Sequence, residues 1–276
     1  MTVAAGLLNL QLLTWGGLVR CQFDPRNARA NVVGTSLEGE NMRSVLADPC
    51  QPGHLYACSV TDIYTSEDGG QNWKWLPAGG VDYREIWTMA VHPDRPGEVY
   101  VGTLPAMVYV SENGGRSFRE LSAFRQLPYY SRWTFPPAPH APDIRSIVLD
   151  RRVPDEIVVG VEEGGVVRSW DRGETWREAS GPDNDGAFPL FNDPSGIQPY
   201  QPVQNIEGRV FRDVHSILRD PSDLDRMYAA TGYGFFRTDN GGRWWKRLEY
   251  GMDRGYAVPV AVHADKPNRV FLGADV

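Results

Sequence analysis

The stretch Ser66-Glu67-Asp68-Gly69-Gly70-Gln71-Asn72-Trp73 decides the fold, because it recurs in altered form further along the chain. The other copies are residues 111–118 (SENGGRSF), 169–176 (SWDRGETW) and 238–245 (TDNGGRWW). All four share a hydroxyl residue, then Asp or Asn two positions later, Gly at the fifth position and Trp or Phe at the eighth. A pattern this loose is expected on the order of a few hundredths of a time by chance in such a chain. The copies therefore indicate one repeated unit.

Short apolar runs precede every copy and predict strands. One run ends in Gly, Ala or Cys before each octet, and a second run lies before it across a turn such as Asp48-Pro49. β-branched and aromatic runs bounded by Gly, Pro and Asp are typical of strands. The unit is therefore strand a, turn, strand b, loop, strand c, octet hairpin and strand d. Successive octets begin 45, 58 and 69 residues apart, and a four-stranded propeller blade takes roughly 40 to 45 residues. The sequence predicts an all-β fold, a β-propeller of four-stranded antiparallel blades.

The octets resemble Asp-box repeats, also called BNR repeats, of sialidases, sortilin-type receptors, two-propeller xyloglucanases and photosystem II assembly factors. The resemblance covers about residues 42 to 276 and is specific for the fold rather than for a function. Within the octet, an Asp or Asn side chain can accept backbone N–H bonds, Gly supplies the turn's backbone angles, and the last aromatic residue packs into the core. Asp68, Asn113, Asp171 and Asn240 are accordingly interpreted as structural.

The chain ends determine the predicted number of blades. Residues 12–15, 17–21 and 30–34 read as strands b, c and d of a degenerate first blade, and residues 257–273 read as strands a and b of a last one. If the N- and C-terminal strands complete one blade, no sheet edge stays exposed. The sequence predicts five blades closed in this way, or six if the chain is a fragment, within a single domain over residues 1–276.

Net charge, cysteine content and the N-terminal sequence restrict the partners and the cellular compartment that are expected. The formal net charge of −7 and pI near 5.3 argue against nucleic acid and membrane as partners, because both require a basic footprint. Cys21, Cys50 and Cys58 lack metal-ligand spacing, and free thiols are the favoured state; a bridge between Cys50 and Cys58 stays open for an exported protein. Without a convincing signal peptide, the chain is expected to be cytoplasmic. No cofactor is predicted.

The order of strands in a meander predicts where a site lies. The octets join strands c and d, so the loops between b and c, and those leading into strand a, emerge at the opposite end. Two long insertions, residues 122–143 and 180–213, are of this second kind. Since long loops on a rigid scaffold concentrate binding residues, a ligand-binding mouth is expected on the face opposite the octets.

The strand-a starts supply the candidate site residues. An acidic residue followed two positions later by Trp, Arg or His recurs there, and alternation along a strand places such pairs on one side. Carboxylates and imidazole can move protons while guanidinium groups hold an anion. The predicted catalytic residues are Glu85, Asp143, Asp213 and His215. The predicted ligand-binding residues are Arg43, Trp87, Arg145 and the aromatic residues Tyr129, Tyr130 and Trp133. Equally weighted alternatives are a structural ring of salt bridges and an aromatic lid.

No metal site is predicted from the sequence. The histidines show no close metal-ligand spacing along the chain. Asp183-Asn184-Asp185-Gly186 with Asp193 resembles part of a calcium loop, but the ligand spacing is incomplete and an ordinary turn is favoured.

Two function classes follow from the resemblance. The first is a glycosidase-like protein for a glycan or a small carboxylated or cyclic ligand. The Arg-Ile-Pro motif of sialidases is missing, and a xyloglucanase needs a cleft between two propellers. The second is a non-catalytic propeller that binds a protein or scaffolds assembly. Carboxylates roughly 5 to 10 Å apart around an open pocket favour the first class, and carboxylates locked by Arg favour the second. A small-molecule enzyme that uses His215 as base is a third possibility.

Overall fold

A computed structural model describes residues 6–82, 85–133, 141–182, 207–248, 251–252 and 255–275. Four of its sheets are four-stranded antiparallel meanders, the predicted blades. The strands of the first two blades are β4 (Met42–Ala47), β5 (Leu55–Ser59), β6 (Ile63–Ser66), β7 (Lys74–Leu76), β8 (Glu85–Val91), β9 (Val99–Leu104), β10 (Val108–Ser111) and β11 (Arg119–Glu120). Those of the next two are β12 (Ile144–Val148), β13 (Ile157–Val161), β14 (Gly165–Ser169), β15 (Arg177–Glu178), β16 (Val214–Arg219), β17 (Met227–Thr231), β18 (Gly234–Thr238) and β19 (Lys246–Leu248).

The strands near the two ends of the chain form smaller sheets. A three-stranded antiparallel sheet contains β1 (Leu8–Thr14), β2 (Gly17–Asp24) and β3 (Arg29–Ser36). A two-stranded sheet contains β20 (Tyr256–Val262) and β21 (Val270–Asp275). These are the strands predicted for the incomplete first and last blades. Closure of one blade by both sheets, the count of five or six blades, and the single domain over residues 1–276 stay predictions.

The backbone divides into two compact units. The first comprises residues 1–101 and 109–120, and the second comprises residues 102–108 and 121–276. In the second unit, the buried strand residues Ile217, Ala229 and Phe236 share a core cluster with the octet residue Trp245. The described residues also include two short 3-10 helices, Ser122–Gln126 and Tyr130–Arg132, which occupy part of the first predicted insertion. Of the described residues, none forms a helix long and apolar enough to cross a membrane.

All four octets adopt the same hydrogen-bonded turn between strands c and d. In the third, the Ser169 hydroxyl donates to Asp171 Oδ1 over 2.8 Å and accepts from the backbone N–H of Gly173 over 2.8 Å. Asp171 Oδ1 also accepts from the N–H of Thr175. The equivalent bonds are formed around Ser66, Ser111 and Thr238. The structural role predicted for the octet Asp and Asn side chains therefore rests on bonds inside each turn.

Removing the octet hydroxyl is expected to destabilise the fold. Ser169 is fully buried, so Ser169→Ala leaves the Gly173 N–H without its acceptor. A buried donor left unsatisfied costs about 1 to 3 kcal/mol, which we expect as the decrease in the free energy of unfolding in a urea titration. Glu174→Ala, an exposed change in the same octet, is the control and should stay within about 0.5 kcal/mol. Equal effects of the two substitutions would contradict this role for the hydroxyl.

Candidate functional site

The strand-a starts carry β-bulges where the sequence predicts site residues. The pairing register shifts between Ile144 and Ser146 in β12 and between Val214 and Ser216 in β16. Arg145 and His215 are therefore the extra residues of two bulges. A bulge re-aims a side chain and is frequent beside functional sites. The sequence prediction assumed that residues i and i+2 of a regular strand lie on one side. The bulges interrupt this alternation, although Asp143 and Arg145 do come together.

Arg145 joins two buried carboxylates in the second unit. Its Nε atom lies 2.9 Å from Asp143 Oδ1 and 2.9 Å from Glu162 Oε2. Glu162 follows β13, and its backbone N–H donates to the carbonyl of Asp143 over 3.0 Å. The turn between β13 and β14 is thereby held against the start of β12, which places the three charged side chains side by side.

Glu163, the next residue, extends the acidic group. Its backbone has a φ of 63°, a left-handed conformation that is uncommon for a residue other than glycine. Its carboxylate forms an ion pair of 2.7 Å with Nε of Arg212, which lies just before β16. Such backbone conformations persist only where surrounding contacts hold them in place, and they are frequent at functional sites.

Asp213 and His215 form the other side of the group. His215 Nε2 lies 3.1 Å from Asp213 Oδ1, and the His215 side chain is only 5% exposed. The other ring nitrogen, Nδ1, lies 2.7 Å from the backbone carbonyl oxygen of Ala257 in β20. The ring of Tyr256 packs against the imidazole with centroids 4.7 Å apart. Contacts from β20 therefore fix the orientation of the His215 ring.

We name Asp143, Glu162, Glu163, Asp213 and His215 the acidic cluster. Burial raises the pKa of Asp143 to about 8, against the opposing charge of Arg145 and with the help of Glu162. Burial also raises the pKa of Glu163 to about 7, against the opposing charge of Arg212. For His215, burial lowers the pKa, but the hydrogen bond and charge of Asp213 outweigh it and the pKa is raised overall. The acidic cluster thus holds protons that isolated carboxyl groups release well below neutral pH.

The remaining predicted pair lies in the first unit. Arg43, at a third bulge, between Met42 and Ser44 of β4, places Nη2 3.7 Å from Glu85 Oε2. Its guanidinium carbon lies 3.9 Å from the centroid of the Trp87 ring, a cation–π arrangement. Both partners are at the start of β8, so Glu85, Trp87 and Arg43 form a second group of predicted site residues, separate in sequence from the acidic cluster.

The three predicted aromatic ligands differ in their surroundings. Tyr130 and Trp133 pack on the buried ring of Phe124, with centroids 6.1 and 5.8 Å apart from it. Trp133 also covers Gly164, where an added Cβ would meet the indole at 3.0 Å. Gly164 follows Glu163, so Trp133 flanks the turn that supplies the acidic cluster. Tyr129 instead lies beside Arg132, 5.7 Å from the guanidinium carbon.

The second unit brings three of the four predicted catalytic residues into one group. Asp143, Asp213 and His215 lie with Arg145 at the end of their blades opposite the octets, as the strand order predicts. Aligning the strand-a starts missed Glu162, Glu163 and Arg212. The same parity rule identifies the turn between strands b and c as part of that end, and two consecutive acidic residues there were the available signal. Residues 183–186 and 193, the possible calcium loop, lie outside the described residues.

No protein-family model matches the chain. The chain is similar to the oligoxyloglucan-reducing end-specific xyloglucanase of Emericella nidulans, with 26% identity over 198 residues, which cover 65% of this chain and 22% of that protein. Similar solved structures include an ancestral GH74 enzyme, with a TM-score of 0.59, 19% identity and coverage of 95% of this chain and 28% of that one. The fold class is that of a β-propeller.

Two further solved structures share this fold class. The GH74 xyloglucanase from Xanthomonas campestris matches with a TM-score of 0.54 and 17% identity, over 98% of this chain and 49% of that one. YCF48 bound to D1 peptide matches with a TM-score of 0.54 and 14% identity, over 97% of this chain and 78% of that one. The β-propeller has neighbours of both predicted function classes, a glycan-degrading enzyme and a peptide-bound protein.

Proposed function

We propose that the acidic cluster is a glycosidase-like site for a glycan ligand. The observation that carries this proposal is a buried carboxyl group, Asp143, whose pKa of about 8 keeps it protonated beside other carboxylates. Glycoside hydrolysis uses one protonated and one ionised carboxyl group, with pKa values separated by their surroundings. The similarity to an oligoxyloglucan-specific enzyme supports a glycan as the ligand class. We also infer that the octets are Asp-box (BNR) repeats, on the strength of their common hydrogen bonds.

Each side chain has a separate part in this proposal. Protonated Asp143 donates a proton to the leaving oxygen of the glycosidic bond, and Arg145 orients its carboxyl group. A water molecule attacks the anomeric carbon as the glycosidic bond breaks and gives its proton to the Asp213 carboxylate, and the negative charge of Glu162 and Asp213 stabilises the positive charge that develops on the sugar ring. Trp133, beside Gly164, offers an apolar surface for a sugar ring at the edge of the group.

The test uses oligoxyloglucan as ligand and substrate. We expect saturable binding by isothermal titration calorimetry and release of reducing ends by the wild-type chain. Asp143→Asn keeps the size of the side chain but removes the acid, so hydrolysis should fall by about 10²- to 10⁴-fold while binding changes by less than about tenfold. The control is Asp155→Asn, an exposed change in the turn at the other end of the same blade. Absence of binding and hydrolysis, or equal rates in both variants, would overturn the glycosidase-like assignment.

A protein-binding function is the second candidate. Arg145 contacts both Asp143 and Glu162, and Arg212 contacts Glu163, the locked arrangement that the sequence associates with binding rather than catalysis. Saturable oligosaccharide binding without hydrolysis, or binding of peptides in place of oligosaccharides, would favour this candidate. A cytoplasmic location and the absence of nucleic-acid and membrane partners remain part of the proposal.

A further inference from the structure

We propose that Glu162, Asp213 and His215 bind a divalent first-row transition-metal ion. One ligand atom from each residue lies within 4.8 Å of the others. The three residues come from the turn after β13, the residue before β16 and β16 itself. Their side chains are 6%, 15% and 5% exposed. This inference does not rest on the proposed glycosidase-like function, because it concerns only the geometry and charge of the cluster.

The His215 ring aims a nitrogen at Asp213 that can hold either a proton or a metal ion. Its Nδ1 faces the carbonyl oxygen of Ala257, which can only accept a hydrogen bond, so Nδ1 carries a proton. In the neutral imidazole, Nε2 then presents its lone pair to Asp213 Oδ1, 3.1 Å away. Neither of these two buried atoms has a further hydrogen-bond partner among the described residues. Two facing lone pairs repel each other unless a proton or a metal ion lies between them.

The balance of charge around the ring favours an additional cation. Four carboxyl groups lie beside two guanidinium groups, those of Asp143, Glu162, Glu163 and Asp213 beside those of Arg145 and Arg212. Glu162 and Asp213 each bring a carboxylate oxygen within 4.8 Å of a ring nitrogen of His215, and a divalent ion bound there would neutralise the charge of both carboxylates. A hydrogen bond from His Nδ1–H to a backbone carbonyl is also the usual support of a metal-binding histidine.

The ligand positions require only a small contraction to coordinate an ion. Two ligand atoms about 2.1 Å from one tetrahedral ion are roughly 3.4 Å apart. The His215 and Asp213 atoms are already 3.1 Å apart, and Glu162, which lies within 4.8 Å of both, has to move inward by at most about 1.4 Å. The Asp213 carboxylate packs against the backbone of Gly232, where an added Cβ would clash with its Oδ2 atom. Gly232 thus gives Asp213 the space to face His215.

The ligand types select the class of metal. Imidazole nitrogen suits Zn²⁺ and neighbouring transition metals, whereas Mg²⁺ and Ca²⁺ prefer sites made of oxygen alone. Two carboxylates and one imidazole therefore favour Zn²⁺ or Mn²⁺ over Ca²⁺ and Mg²⁺. No metal site was predicted from the sequence, because that prediction relied on the spacing of ligands along the chain. Glu162 is far in sequence from Asp213 and His215, so no such spacing reveals the site.

The experiment measures metal binding to the full chain without any glycan. The chelator-treated protein is titrated with Zn²⁺, Mn²⁺, Ca²⁺ and Mg²⁺ by calorimetry, and Co²⁺ is used as a visible-absorption probe of nitrogen and oxygen ligands. We expect one Zn²⁺ or Mn²⁺ per chain, and at least about 100-fold weaker binding in His215→Gln, because one of three ligands is lost. His263→Gln, in the turn between β20 and β21, is the matched control and should bind like wild type. No saturable binding of Zn²⁺ or Mn²⁺, or equal binding by the two variants, overturns the proposal.

A second variant keeps the test valid if His215→Gln does not fold. Gly232→Ala retains all three ligands but displaces the Asp213 carboxylate, so binding should weaken by at least about tenfold. Far-ultraviolet circular dichroism checks that it is folded. Unchanged metal affinity in folded Gly232→Ala counts against the proposal. Oligoxyloglucan titrations in chelator separate the two proposals, since loss of glycan binding alone removes the glycosidase-like function and loss of metal binding alone removes the metal site.

Discussion

Trp245→Ala is expected to lower the free energy of unfolding by about 3 to 5 kcal/mol, the usual cost of removing a fully buried aromatic side chain. Trp245 is 1% exposed and packs among the core residues of the second unit. Its indole N–H donates to the carbonyl oxygen of Ala179 over 2.8 Å, so the substitution also leaves a buried acceptor unpaired. In a calorimetric melt, each kcal/mol corresponds to roughly 2 to 4 °C for a chain of this size, and the midpoint should fall by at least about 6 °C.

The adjacent residue provides the control for this measurement. Trp244 has the same side chain in the same octet but is 46% exposed. Trp244→Ala should therefore lower the free energy of unfolding by no more than about a third as much as Trp245→Ala, because it removes little buried apolar area. Trp245→Phe should fall between the two, because it keeps most of the apolar volume and loses the N–H. If Trp244→Ala destabilised the protein as much as Trp245→Ala, the octet aromatic residue would not be the core anchor.

Glu156→Ala is expected to lower the free energy of unfolding by a similar amount, because it removes the carboxylate from two buried ion pairs. The Glu156 side chain is 3% exposed and forms ion pairs with Arg168 and Arg219, whose side chains are 11% and 4% exposed. Arg168 also donates to the carbonyl oxygen of Gly241 in the next octet over 2.6 Å. Removing the shared carboxylate leaves two buried guanidinium groups without this partner. Such a loss costs about 3 to 5 kcal/mol, measurable as a decrease in the unfolding free energy in urea.

An exposed ion pair of the same kind serves as the reference for that substitution. Glu67 lies 3.5 Å from Lys74, and both side chains are about 70% exposed. Glu67→Ala should change the unfolding free energy by no more than about 1 kcal/mol, because solvent screens such pairs. A cost of Glu156→Ala as small as that of Glu67→Ala would show that the buried pairs contribute nothing beyond screened surface charge.

The repeated octet made most of the fold predictable from the sequence. Its fixed order of a hydroxyl residue, a carboxylate or amide, Gly and an aromatic residue encodes a turn by local bonds alone, and local bonds are visible in sequence. The predicted run at residues 157–160 is β13, Ile157–Val161. Outer strands such as β11 and β15 have only two residues each and carry no periodic pattern, so their limits were not predictable.

The site was predictable only where it repeats. Asp143, Asp213 and His215 occupy equivalent positions of successive blades, so aligning the blades identified them. Glu162 and Glu163 occur in one blade's turn and have no counterpart to align. A bulge adds one residue without changing composition, and its presence at Arg145 could be recognised only from the pairing register. The contacts that give Asp143 its raised pKa come from several elements, which no local pattern reveals.

The octet turns, which satisfy their hydrogen bonds internally, have a consequence for how this chain can change over evolutionary time. In each blade that contains an octet, the turn between strands c and d is held by hydrogen bonds among the eight octet residues, and these bonds involve no residue at the opposite end of the blade, the far extremity. Substitutions among the acidic side chains at the far extremity therefore leave the hydrogen bonds of the hairpin turns in place, whatever they change in the stability or chemistry of the site itself. Because the turns and the site lie at opposite ends of the blades, one scaffold can carry the sites of enzymes and of binding proteins.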